Sequence, residues 1–311
     1  KSTVETNLGS GVTIVDGSDG TNTFDKYKIA TVDGGDLTID ANMDKYNRNS
    51  NNAGYFYSRR FMGQRLNLSV GAGITVTAST DTAYATTYFN NQVVGLEMNS
   101  SKAATSATDA QINLLANSKV IADRTDSGNG AIGLYMNFGK IDIAAGAEVE
   151  VEKGTGGGNI VNNKAVGIYA VNGSTVSNAG DIKVGGNQSI GILGMAYREQ
   201  PVGTPIVDEF GTGGIFTIQG KVNVTNSKNI TLDGTGTIGI YVHNNKVSGL
   251  NTDAVVTNTV NGVITVGSSD SSNVAIGIYG KNATISNLGK ISVGDGGIAI
   301  YATEGSRITD L

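Results

Sequence analysis

One phrase recurs along the chain and limits what it can fold into. It reads apolar-Gly-apolar-Tyr, at Ile132-Gly133-Leu134-Tyr135, Val166-Gly167-Ile168-Tyr169, Ile238-Gly239-Ile240-Tyr241 and Ile276-Gly277-Ile278-Tyr279. Looser copies stand at Val94-Gly95-Leu96-Glu97, Ile190-Gly191-Ile192-Leu193 and Ile298-Ala299-Ile300-Tyr301. A second phrase, Gly-x-apolar-x-apolar, starts at Gly139, Gly180, Gly220, Gly262 and Gly289. A third is Thr175-Val176-Ser177-Asn178, with counterparts at Val255-Val256-Thr257-Asn258 and Thr284-Ile285-Ser286-Asn287. All alternate with period two and are bounded by Gly or Asn, as short strands are. None has the i, i+3, i+4 spacing of an amphipathic helix. The 22 residues from Ile276 to Ile298 carry all three phrases in order. Three short strands and three turns per cycle describe one triangular coil of a parallel β-helix. The 48 residues from Gly191 to Gly239 then hold either two coils or one coil with an inserted loop.

Packing agrees with this reading. A single coil has too few Ile and Val side chains to make a core, whereas stacked coils bury each residue against its copies about 4.8 Å away. The repeated Asn178, Asn258 and Asn287 are expected at equivalent corners, in a left-handed conformation, with their amides hydrogen-bonded along the axis. Interior strands need their N–H donors, and the chain has only 2 Pro. Residues 126–311 read as regular coils, and 1–125 as an N-terminal cap and irregular coils with loops. At about 22–25 residues per coil the stack is expected to be on the order of 60 Å long.

Composition narrows the function. Gly makes up 45 of 311 residues, about double ordinary usage. The absence of Cys removes disulfides, thiolate metal sites and Cys nucleophiles, and a single His removes any two-His metal site. No cofactor or metal is called for. A net charge of −5 gives no basic face for nucleic acid. No apolar run is long enough to span a membrane, so no direct insertion is expected. The ends look cut, as in a piece of a longer exported protein.

With these phrases in hand, the sequence resembles passenger segments of type Va autotransporters. Ala-Ile-Gly-Ile-Tyr-Gly-Lys-Asn (275–282) and Ser-Asn-Leu-Gly-Lys-Ile-Ser-Val (286–293) are similar to wording in the large fusobacterial outer-membrane adhesins of the RadD type. The resemblance covers residues 130–311 and reaches 1–130 by composition alone. It implies a right-handed β-helix displayed outside the cell and anchored through a C-terminal barrel. It also implies attachment to host cells or partner bacteria, with a protein and a glycan receptor both open. No enzymatic activity is expected, because charges in the regular region are sparse and mostly one per strand, as at Lys140, Lys183, Lys221 and Lys290. A monomer is expected.

Side loops are the natural contact sites on a solenoid. The segment 40–65 holds Arg48, Arg59, Arg60 and Arg65 together with Tyr55, Phe56, Tyr57 and Phe61. Arg and Tyr are enriched at interface hot spots, though a cap with inward-packed aromatics and solvated Arg side chains accounts for the same residues. The segment 196–214 contains Pro201 and Pro205 beside Tyr197 and Arg198, and is expected to leave the helix as a loop. Its Asp208-Glu209 dipeptide fixes no catalytic geometry. A third insertion, Thr80 to Gln92, carries Tyr84, Tyr88 and Phe89.

Alternation sends Gly277 and Tyr279 outward, which builds a glycine strip beside a row of Tyr135, Tyr169, Tyr241, Tyr279 and Tyr301. Such a strip can seat a sugar or a peptide, or the rings can simply stabilise neighbouring coils. His243 is expected at the start of a turn, and Glu148, Glu150 and Glu152 on a solvated acidic strand. Gly154 to Asn159 lacks the Lys of a phosphate loop, so it reads as a turn. Two other readings stand beside the adhesin: a β-helix polysaccharide lyase or hydrolase, and a passive spacer.

Overall fold

The computed structural model describes residues 12–18, 23–31, 36–40, 42, 58–64, 66–80, 93–99, 110–124, 131–151, 164–196, 206–207, 213–214, 220–244 and 250–311. They form an all-β parallel β-helix. Three sheets, of ten, nine and seven strands, are visited in turn by the chain. In the tightest coil Ile276–Lys281 lies in the first sheet, Thr284–Asn287 in the second and Lys290–Val293 in the third. Ile298–Thr303 then returns to the first sheet, with Ile298 opposite Ile276 and Tyr301 opposite Tyr279. Seven coils contribute a strand to all three sheets. Among the described residues no helix is long and apolar enough to cross a membrane.

Register decides what the sequence left open. Ile190 pairs with Ile238, so the wide interval between Gly191 and Gly239 is one coil with an insertion. Within that insertion Ile206–Val207 and Gly213–Gly214 form their own small antiparallel pair. The stack also extends well before residue 126. Asp36–Ile39, Asn67–Val70 and Gln111–Leu114 continue the second sheet in register with Lys140–Ile143. At the N-terminal edge Val12–Ser18 runs antiparallel to Thr23–Thr31 and covers an otherwise open strand. Insertions consume so much chain that nine second-sheet strands, about 4.8 Å apart, give a stack of about 40 Å rather than 60 Å.

The interior consists of rows of identical or similar side chains. Leu68, Ile112, Ile141, Val176, Val224, Val256 and Ile285 occupy one register position of the second sheet, and all are fully buried. Burying each contributes about 1.5–3 kcal/mol relative to exposure, but only because the copies above and below exclude water.

The repeat glycines correct the expectation of an outward strip. They face the third sheet. A Cβ built on Gly133 would stand 2.5 Å from Val149 Cγ1 and 2.6 Å from the Gly167 carbonyl oxygen of the next coil. Gly95, Gly167, Gly191, Gly239 and Gly277 are equally hemmed in by a third-sheet Val or Ile and by the next coil's backbone. The paired positions skip each glycine, as Ile132 with Val166 and then Leu134 with Ile168 show. Alternation therefore slips by one residue at the same place in every coil, much as at a bulge, and the neighbours stay in register. Ile278 consequently belongs to the core, whereas Ile276 sits beside it.

The corner asparagines behave as expected in pairing and differently in backbone. Asn178 donates its amide to Asn226 Oδ1 at 2.8 Å, Asn226 to Asn258 Oδ1 at 2.9 Å, and Asn258 to Asn287 Oδ1 at 2.8 Å. Asn226 is a member that the repeated phrases did not single out. All four close second-sheet strands, so they are extended, and none is among the residues of positive φ. Positive φ falls instead on Phe138, Asn172, Asn282 and Glu304, which turn the chain out of the first sheet.

The acidic strand is also not a solvated face. Glu148 lies between Lys119 at 2.7 Å and Lys183 at 2.6 Å, and Glu150 pairs with the same Lys119. Burial pushes the Glu148 carboxyl up, but the two ammonium groups outweigh it and hold the pKa at about 2. Burial likewise pulls Lys119 down, and its bonds to Glu148 and Glu150 leave its pKa raised. Glu152 lies outside the described residues.

Candidate functional site

The outer surface of the first sheet carries the aromatic row. Register places Glu97, Tyr135, Tyr169, Leu193, Tyr241, Tyr279 and Tyr301 on seven successive coils. Tyr241 and Tyr279 stack face to face, with centroids 4.5 Å apart and planes within 4°. Tyr279 and Tyr301 lie 5.2 Å apart at 33°. Tyr135 and Tyr169 meet edge to face at 5.4 Å. Leu193 separates the two groups. Stacked rings cover each other's faces and turn their edges outward, an arrangement that steadies adjacent coils by about 0.2–1 kcal/mol per pair. With the glycines inside, no backbone strip borders the rings, so a sugar has no flat platform between Tyr241 and Tyr279.

Two residues further along each strand runs a second outward row with His243, Lys281 and Thr303. His243 is a strand residue within Ile238–Asn244 rather than the start of a turn. Its ring lies 6.1 Å from that of Tyr241 with planes 6° apart. Burial, and then the Lys281 charge, lower its pKa, so the imidazole is neutral at pH 7. Lys281 reaches Glu304 at 3.2 Å. Burial pushes the Tyr241 phenol up to about 12, with Tyr279 and Glu304 acting in the same direction. No base, nucleophile and orienting group converge here, and among the described residues no three His, Asp or Glu side chains are grouped to hold a metal.

The corners around this sheet are unequal. Turns from the second to the third sheet never exceed four residues, as at 71–74, 144–147 and 288–289. The long connections all enter or leave the first sheet. In the seven complete coils they are 100–110, 197–221 and 245–253 on one edge, and 81–92, 152–165 and 267–275 on the other. Before them, 40–57 runs from the second-sheet strand Asp36–Ile39 to the first-sheet strand Ser58–Gln64, with no third-sheet strand between among the described residues. A corner insertion lengthens a coil without breaking any strand ladder, so the fold tolerates one at every corner equally. In the seven complete coils their restriction to two corners is not demanded by packing.

Of the contact residues expected from the sequence, Arg59, Arg60 and Phe61 lie within the first-sheet strand Ser58–Gln64 rather than on a loop. Arg59 is opposite Val94, and Phe61 is opposite Tyr27 on one side and Leu96 on the other. The structure therefore puts these three on the sheet that carries the tyrosines. Arg48, Tyr55, Phe56, Tyr57, Arg65, Tyr197 and Arg198 lie outside the described residues, as do Asp208, Glu209 and the 154–159 segment. Lys281 and Glu304 were not found from sequence, because single charges on alternating strands carry no motif. The sequence matches no family model, no curated protein and no solved structure.

Proposed function

We propose that this chain is a non-enzymatic attachment segment of a bacterial surface protein, an adhesin that meets a receptor on host cells or on other bacteria across the first-sheet face and its flanking insertions. One observation carries the reading: every connection long enough to make contacts enters or leaves the first sheet, and in the seven complete coils the second-to-third corner stays smooth. A spacer selected only for reach has no reason to crowd insertions around one face. An enzyme of β-helix type needs acids and bases gathered on neighbouring coils, whereas Glu148 and Glu150 are neutralised by Lys119 and Lys183. The resemblance to autotransporter passengers supports display outside the cell, and the regular stack supplies a rigid base on which loops keep their geometry.

The test is binding of the purified chain to host and bacterial cells. It is run beside a variant with Arg48, Tyr55, Tyr57, Arg59 and Arg60 changed to Ala, and both proteins are checked by far-UV circular dichroism. Binding by the parent chain that the folded variant loses supports the adhesin and assigns these residues a part in it. Absence of binding by the folded parent chain contradicts the reading.

A further inference from the structure

The tyrosine stack suggests chemistry as well as packing. Among side chains, Trp, Tyr and Cys give up a single electron most readily, and this chain has 12 Tyr but neither Trp nor Cys. An electron removed from the protein by an oxidant therefore leaves its hole on a phenol. In Tyr241 and Tyr279 two phenols are already stacked, at 4.5 Å and 4°, and each is half-buried with its edge toward solvent. Parallel in-register strands fix them on adjacent coils, through Ile240 with Ile278 and Tyr241 with Tyr279. Holding two reactants in place turns a bimolecular encounter into an intramolecular one, an advantage that reaches about 10⁵ M or more in effective concentration when well aligned.

We propose that Tyr241 and Tyr279 form a dityrosine site, at which a peroxide acting through a haem peroxidase welds two neighbouring coils together. Each phenol loses one electron and one proton to give a phenoxyl radical. The two radicals join through a carbon–carbon bond between the ring positions ortho to oxygen. The hydrogens on those carbons then move to the oxygens and restore two phenols. The peroxide takes up the two electrons and two protons and leaves as two molecules of water. The product is a covalent cross-link across 38 residues of chain, in a protein that has no Cys with which to make a disulfide. It is independent of the receptor reading, since it needs only the stack. Tyr301 is the competing partner of Tyr279, at a longer 5.2 Å and a less parallel 33°. The Tyr135–Tyr169 pair is edge-to-face, which points one ring's edge at the other's face rather than bringing two ortho carbons together.

The experiment treats the dilute 311-residue chain with hydrogen peroxide and a haem peroxidase. The monomer is isolated, and cross-linked peptides are read by mass spectrometry alongside dityrosine fluorescence. The predicted result is an intrachain Tyr241–Tyr279 link, two hydrogens lighter than the separate peptides, that dominates in the parent chain and in Y301F. It disappears in Y279F, which retains the ring and hence the stack. The linked protein should also unfold at higher denaturant concentration than the untreated one. Cross-links that map only elsewhere, that are only intermolecular, or that persist unchanged in Y279F overturn the assignment, as does a monomer without dityrosine.

Discussion

Asn226 donates its side-chain amide to Asn258 Oδ1 at 2.9 Å, and each of the two is fully buried. Asn226 also donates to the Lys228 carbonyl at 2.9 Å and accepts from Asn178 at 2.8 Å, so every polar atom of the side chain is engaged. Replacing it by Ala strands a donor on Asn178 and an acceptor on Asn258 in a dry corner. Asn226→Ala should therefore cost about 2–4 kcal/mol, read as a lower denaturant midpoint. The same change at half-buried Asn273 should cost less, since its partner Asp270 lies at the surface.

The inward glycines are equally exacting. Gly133→Ala places a methyl group 2.5 Å from Val149 Cγ1 and 2.6 Å from a backbone oxygen, and the backbone oxygen cannot rotate aside. The expected loss is about 1–3 kcal/mol, measured by chemical denaturation. Ala299 occupies the corresponding place in the last coil and is exposed, which is why a methyl group is accommodated there.

Acid stability should depend on Glu148. Its pKa falls from 4.5 to about 2 on folding, so the folded state binds a proton less readily than the unfolded one. The pairs with Lys119 and Lys183 then contribute fully above pH 4.5 and are lost as pH drops toward 2. Glu148→Gln should flatten the pH dependence of stability in that window and leave it unchanged above pH 6. A decrease of equal size at all pH values would show that the loss is one of packing rather than charge.

Insertions at first-sheet corners should be removable. Replacing 197–221 by a two-residue turn, the length found at 138–139, should leave the far-UV circular dichroism spectrum and the denaturant midpoint close to those of the parent chain. If the attachment reading holds, cell binding should fall while stability does not.

Most of the scaffold was legible in the sequence, because stacking repeats one small set of constraints at every coil. Ile276-Gly277-Ile278-Tyr279 carries the strand, its core residue Ile278 and its outward ring in four letters. The glycines were misplaced for a physical reason: period-two alternation assumes a Cβ on every residue, and Gly133 reverses its facing because it has none. Glu148 and Glu150 looked solvated because Lys119 and Lys183 are about 30 residues away in sequence and one coil away in space. Coils before residue 126 lack the repeat Tyr, and only Val94-Gly95-Leu96 keeps the Gly, yet Leu68 and Ile112 keep the same register as Ile141. The candidate contacts were harder to read, since Arg59 and Phe61 proved to be strand residues and loop composition alone does not tell a strand from a turn.

The central claim is that one face of the stack does the binding. The chain has no Cys, so single Cys residues at Lys281, Thr257 and Thr265 place a bulky maleimide adduct on the first, second and third sheet in turn. Cell binding by the three labelled proteins, each confirmed as folded, is the decisive measurement. The account predicts that the adduct at position 281 blocks binding and that those at 257 and 265 leave it intact. Undiminished binding with label at 281, or equal loss from all three positions, would contradict it.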